Sequence, residues 1–156
     1  GIKLIIVPHE PNSSTINDII RILDEWQVNW QKFSKFNCDE IMSALIVDEV
    51  GLLADIYSIG RCAYVGAGFG EGVHSVVEPA VHGCPVSFGP NIKILDEAID
   101  LHENGLAKMI NSKYEFSKFL SILYDDYEYT KKAEALKVFI QNRKCDIQKI
   151  LEIIES

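Results

Sequence analysis

Four short apolar runs constrain this chain more than any other feature, because each is cut off abruptly. Lys3–Val7 ends at Pro8, Ser43–Val47 at Asp48, Cys62–Val65 at Gly66 and Pro85–Phe88 at Gly89-Pro90. Runs of this length without polar alternation suit strands buried on both faces, as in a parallel sheet. Parallel neighbours need a crossover, and helical spacing follows every run. Ile16, Ile19, Ile20, Leu23 and Trp26 mark a helix over 14–27, with caps on offer from Asn12 to Thr15 and a Thr15–Asp18 pair resembling a capping box. Further helices are expected over 51–60, 75–82 and 94–103, a weak strand near Trp30–Phe33 and a last strand over Leu106–Ile110. Beyond that the periodicity is only helical, over 114–125, 128–143 and 145–155. Strand–helix alternation followed by helices reads as an α/β chain, a parallel sheet flanked by helices with extra C-terminal helices.

Composition narrows the function classes. The 156 residues fit one domain, 1–156, and 47% hydrophobic against 24% charged is the balance of a globular chain. The uncharged run Ala80–Ile92 is too short for a membrane span and is broken by Gly83-Cys84-Pro85. The net charge is −8, which speaks against nucleic-acid binding through a basic face. The acid excess lies before Ser112, where 7 basic side chains meet 15 acidic ones. A phosphate bound there would be held mainly by backbone N–H groups and helix starts. Cys38, Cys62, Cys84 and Cys145 form no CxxC pair and are expected as reduced, mostly buried thiols. With His9, His74, His82 and His102 scattered, no metal site and no cofactor are expected. Gly1 runs into a strand with no leader pattern, so the sequence reads as a piece of a longer chain.

In open parallel sheets, ligands bind beyond the carboxyl ends of the strands. Segments 8–10, 48–51, 66–75 and 89–91 are placed there, and are expected to meet on one edge. The loop Gly66–Gly72 has glycine at every second position, so Gly68 and Gly70 flank Phe69 with no side chains to block a ligand. It is neither GxGxxG nor a P-loop, and a plain strand–helix connection remains the alternative to a phosphate cradle. Ser75 and Glu78 form a capping box beside Pro79. Glu78 either caps only, or accepts hydrogen bonds from the vicinal hydroxyls of a ribose. His74, at a helix start, either donates to a phosphate or carboxylate or is packed and hydrogen-bonded. His9 and Glu10 are site candidates or turn residues. No nucleophile with an adjacent base and no glycosidase-type carboxylate pair is visible.

The stretch from Ile46 to Asn91 resembles the C-terminal domain of 3-deoxy-D-manno-octulosonic acid (Kdo) transferases. Asp48, Gly51, Leu53, Tyr57, Val65-Gly66, Gly72, His74, Glu78-Pro79-Ala80, Gly83, Pro85-Val86 and Gly89-Pro90 fall on that family's pattern, and LIIVPHEP resembles its first strand and proline turn. The chain departs from the pattern at His9, Leu52, Val73 and Ser75, where the family has arginine, glutamate, glycine and asparagine. The resemblance implies a Rossmann-like sheet forming the C-terminal half of a GT-B glycosyltransferase. It implies a donor site for CMP-Kdo built from His9, Glu10, Gly51, Leu52, Gly68, Phe69, Gly70, His74, Ser75 and Glu78, without metal or cofactor. In that family the other domain carries a glutamate base and the acceptor site, and Kdo passes to the lipid A precursor at the cytoplasmic face of the inner membrane. The chain by itself is then expected to be soluble, to make no membrane contact, to bind CMP weakly and to turn nothing over. A UDP-sugar transferase or epimerase, or a nucleotide-binding module without catalysis, is the alternative.

Overall fold

The computed structural model describes residues 2–66, 76–92 and 96–143. The expected helix over 145–155 and most of the glycine loop lie outside them. The chain divides into two compact units, Gly1–Leu53 and Ala54–Ser156.

In the first unit, strands β1 (Leu4–Ile6), β2 (Trp30–Lys32) and β3 (Ala44–Ile46) form a parallel sheet ordered β1-β3-β2. Leu4, Ile5 and Ile6 face Ala44, Leu45 and Ile46, which in turn face Trp30, Gln31 and Lys32. The central strand is the driest, with Ala44, Ile46 and the following Val47 fully buried. Helix α1 (Ser13–Glu25) lays Ile16 and Leu23 against Ala44 and Ile46. Its start is one turn earlier than the Thr15–Asp18 pair suggests. Asn12 is the cap, its Oδ1 accepting from the Thr15 amide at 2.9 Å and from the Thr15 hydroxyl at 3.1 Å. Asparagine is among the best caps, and it leaves the threonine as a partner instead. Trp30 on β2 donates its indole N–H to Asp24 at 2.8 Å, tying strand to helix.

The second unit repeats the pattern with helix α2 (Leu53–Ile59) entering it from the boundary, then β4 (Ala63–Val65), α3 (Val77–Val81), β5 (Val86–Phe88), α4 (Asp96–Glu103) and β6 (Ala107–Met109). The sheet is again parallel, ordered β4-β5-β6. All of β5 is buried, so Val86 and Phe88 anchor a core with Val76, Ala80, Ala98, Leu101 and Ala107. A fully buried phenylalanine of this kind contributes about 1.5–3 kcal/mol from area alone. Buried Ser87 satisfies its hydroxyl by donating to the Ala63 carbonyl at 3.3 Å. Helix α5 (Lys113–Leu120) is capped by Ser112 and runs into a short 3-10 turn, Ser121–Tyr124. Helix α6 (Asp126–Arg143) closes the described chain and brings Leu136 into the core beside α3.

The α/β architecture of parallel strands flanked by helices is as the sequence leads one to expect. The strands are shorter than the apolar runs, and their hydrogen bonds form two three-stranded sheets among the described residues.

Candidate functional site

In the first unit, β1 and β3 are parallel neighbours, so the loops after them leave the same edge of the sheet. His9 and Glu10 follow β1 and are exposed. Val47 and Asp48 follow β3, leading to Gly51 and Leu52. Gly51 has φ +87°, a left-handed value that favours glycine, and nothing lies within 4 Å of the Cβ it lacks. Leu52 is half-buried at the start of α2.

Asp48 is held at this edge by two hydrogen bonds. Its Oδ1 accepts from the Ser34 amide at 2.9 Å and its Oδ2 from the Ser34 hydroxyl at 2.6 Å. Desolvation works to raise its pKa. The Ser34 hydroxyl and amide, aided by the Lys32 ammonium, outweigh that and hold the carboxyl below its ordinary value. Asp48 therefore stays ionised near neutral pH. In the sequence Asp48 stands out as the stop of a strand and as part of the family pattern. Ser34 does not, because its partner lies fourteen positions away and no local pattern links the two.

In the second unit, Gly66, the Gly89–Asn91 turn and Asn111-Ser112 leave the carboxyl ends of β4, β5 and β6. Gly68, Phe69, Gly70, His74 and Ser75 lie outside the described residues. Glu78 is exposed in the first turn of α3. The cap of α3 is Val76, with no side-chain hydrogen bond, and the helix runs from Val77 to Val81 rather than from Ser75 to His82. Ahead of Pro79 the chain enters the helix only at Val77, which puts Glu78 in the first turn where a carboxylate suits the dipole. Burial, then the Glu78 carboxylate, then Cys84 push the Tyr57 phenol above its ordinary pKa. Tyr57 on α2 thus lies within electrostatic reach of Glu78.

This unit also holds a cavity of about 510 Å³ lined by Tyr64, Ile110, Asn111, Ser112, Lys113 and Phe116. The Tyr64 and Phe116 rings meet edge to face, centroids 5.5 Å apart. The helix start beside it is already neutralised. The Ser112 hydroxyl accepts from the Glu115 amide at 3.2 Å, and the Glu115 carboxylate accepts from the Asn111 amide at 2.6 Å. In the sequence, Asn111 and Ser112 stand just past the last strand run, Leu106–Ile110. Among the described residues, no group of three or more His, Cys, Asp or Glu could hold a metal ion, and no helix is long and apolar enough to cross a membrane.

No protein-family model matches the chain. Curated relatives cover nearly all of it. It is 26% identical over 159 residues to a 3-deoxy-D-manno-octulosonic acid transferase from Chlamydia muridarum, covering 99% of this chain and 36% of that protein. It is 27% identical over 159 residues to the Aquifex aeolicus protein of the same name, covering 100% of this chain and 42% of that one. The chain therefore spans well under half the length of these relatives. Among solved structures it is similar to the C-terminal CMP-Kdo binding domain of WaaA from Acinetobacter baumannii. The TM-score is 0.72 at 17% identity, over 86% of this chain and 72% of that one. The resemblance drawn from the motifs is thus matched along the whole sequence by relatives named Kdo transferase.

Proposed function

We propose that this chain is the donor-binding domain of a Kdo transferase, a single nucleotide-sugar-binding domain over 1–156 that recognises CMP-Kdo. The observation that carries the reading is the coverage: relatives bearing that name align with 99% and 100% of the chain. The likeness of its fold to a solved CMP-Kdo binding domain supports it further. On this reading the full enzyme has a GT-B architecture and transfers Kdo to the lipid A precursor at the cytoplasmic face of the inner membrane. The general base and the acceptor site belong to the other domain, and this chain alone turns nothing over.

The donor contacts follow from the chemistry of the residues. In transfer, the bond between Kdo and the CMP phosphate breaks, its electron pair leaves with CMP, and charge grows on the phosphate. Backbone N–H groups around Gly68, Phe69 and Gly70 are the groups proposed to meet that charge, because no side chain on the glycines stands in the way. Glu78 accepts from the ribose hydroxyls, one per carboxylate oxygen. His74, Ser75 and His9 donate to the phosphate or the Kdo carboxylate. Glu10, Gly51 and Leu52 line the nucleotide pocket.

Isothermal titration tests the reading. CMP is expected to bind, and Glu78→Gln to weaken it by about tenfold, the loss of one strong hydrogen bond to a charged group. Binding of UDP in preference to CMP would instead indicate a UDP-sugar enzyme.

A further inference from the structure

The exits of two neighbouring strands in the first unit are tied by one side chain. Asp48 stands directly after the buried Val47 of the β3 segment. Ser34 stands in the 3-10 turn Phe33–Lys35, which begins where β2 ends. The aspartate accepts both hydrogens that the serine can offer, at 2.9 Å from the amide and 2.6 Å from the hydroxyl. Both bonds are charge-assisted, and together they fix the carboxylate in distance and orientation.

Beyond Asp48 the chain is exposed through Glu49, Val50 and Gly51 and is half-buried again only at Leu52. Val50 is 80% exposed, and Gly51 is exposed in a left-handed conformation with open space beside it. The path from Glu49 to Leu52 is therefore set by its two ends, the Ser34–Asp48 clasp and the start of α2 at Leu53. Ser34 itself is exposed, so removing its hydroxyl leaves no buried group unpaired and opens no cavity.

We propose that Ser34 is a positioning residue for donor binding: by clasping Asp48 it sets the course of the Glu49–Leu52 loop toward the nucleotide. The proposal rests on the donor-binding reading, which assigns Gly51 and Leu52 to the nucleotide pocket. A loop held at the right course before binding avoids the ordering cost at the moment of binding.

The test is titration of CMP into this chain and its Ser34→Ala and Ser34→Thr variants, with thermal melting of each. Ser34→Ala is expected to bind CMP about tenfold more weakly, as for loss of one charge-assisted hydrogen bond. Its melting temperature is expected to stay close to the parent's. Ser34→Thr, which keeps the hydroxyl, is expected to restore most of the affinity. The backbone amide signals of Glu49, Val50 and Gly51 are expected to move in Ser34→Ala without nucleotide and to return in Ser34→Thr. Undiminished CMP binding by Ser34→Ala overturns the proposal alone. So does equal loss in both variants with a matching fall in melting temperature, which marks general damage. If the parent chain binds neither CMP nor CMP-Kdo, the donor reading fails and takes the proposal with it.

Discussion

The Cys84 sulfur lies 3.6 Å from where a Cβ on Gly60 would stand, so the thiol lies beside the turn after α2. Burial, with a lesser push from Cys62, drives its pKa up to about 12. A thiol reacts as its thiolate, so Cys84 is inert at neutral and mildly basic pH. Cys38, by contrast, is exposed. Iodoacetamide near pH 8 should label Cys38 ahead of Cys62 and leave Cys84 untouched until the chain is unfolded, as read by mass spectrometry of the peptides. Labelling of Cys84 at the rate of Cys38 would show that this burial is not what governs it. The sequence marked all four cysteines as isolated and expected most of them buried. Among the described cysteines only Cys84 is buried: Cys62 is half-buried, and Cys38 is exposed in the polar stretch 37–40, where no apolar run covers it. Residue types told what chemistry was available here, whereas exposure depended on contacts distant in sequence. The clasp between Ser34 and Asp48 is the same lesson for a polar pair.

Three helices end in one hydrogen-bonding pattern, and each end turns the chain into the next strand. After α1, Val28 N–H reaches the Leu23 carbonyl and Gln27 N–H that of Asp24. After α3, Cys84 bonds Pro79 and Gly83 bonds Ala80. After α4, Leu106 bonds Leu101 and Gly105 bonds His102. This is the Schellman arrangement, which needs a left-handed residue at the turn. Gly83 and Gly105 supply it with φ of +69° and +68°, but Gln27 carries a side chain at +53°. Gln27→Gly should therefore raise stability by about 1 kcal/mol, the steric cost of a left-handed side chain. Gly83→Ala should do the reverse and cost more than about 1–2 kcal/mol. Its Cβ would stand 3.0 Å from the Ala133 carbonyl oxygen and 2.7 Å from Lys137 Cε of α6. Thermal melts of both variants check the signs. A Gly83→Ala chain as stable as the parent would mean that α6 yields easily. Glycine stops after α3 and α4 were legible in the sequence, because Gly83 and Gly105 follow helical periodicity directly. The stop at Gln27 was not, since glutamine carries no turn signal. The start of α1 is within one residue of the expected helix over 14–27, but which of the four polar residues from Asn12 to Thr15 caps it is decided only by geometry.

At the scale of the whole chain, the four apolar runs mark four of the six strands among the described residues, and only the central strands β3 and β5 are as dry as such runs suggest, since Leu4 on β1 and Tyr64 on β4 are exposed at the sheet edges. The runs could not give hydrogen-bond partition, which depends on the path of every crossover. The carboxyl-end positions of His9, Glu10 and Gly51 were legible because they follow where such runs stop, while the cavity beside Tyr64 and Phe116 needed the packing of α5 to exist. Charge leads to a further expectation about donor binding. With 7 basic against 15 acidic side chains before Ser112, a nucleotide phosphate approaches a repelling surface. Raising salt from about 0.1 M to about 1 M shortens the screening length from about 10 Å to about 3 Å. CMP affinity should hold or rise across that range. A steep fall would mean that lysine or arginine side chains, not main-chain dipoles, hold the phosphate. The indole that donates to Asp24 has one more consequence. Trp26 and Trp30 both belong to the first unit, and all 6 tyrosines, from Tyr57 to Tyr129, belong to the second. Intrinsic emission is therefore divided between them by colour. Following indole and phenol emission separately during unfolding therefore reports on each half of the chain in turn, without a label.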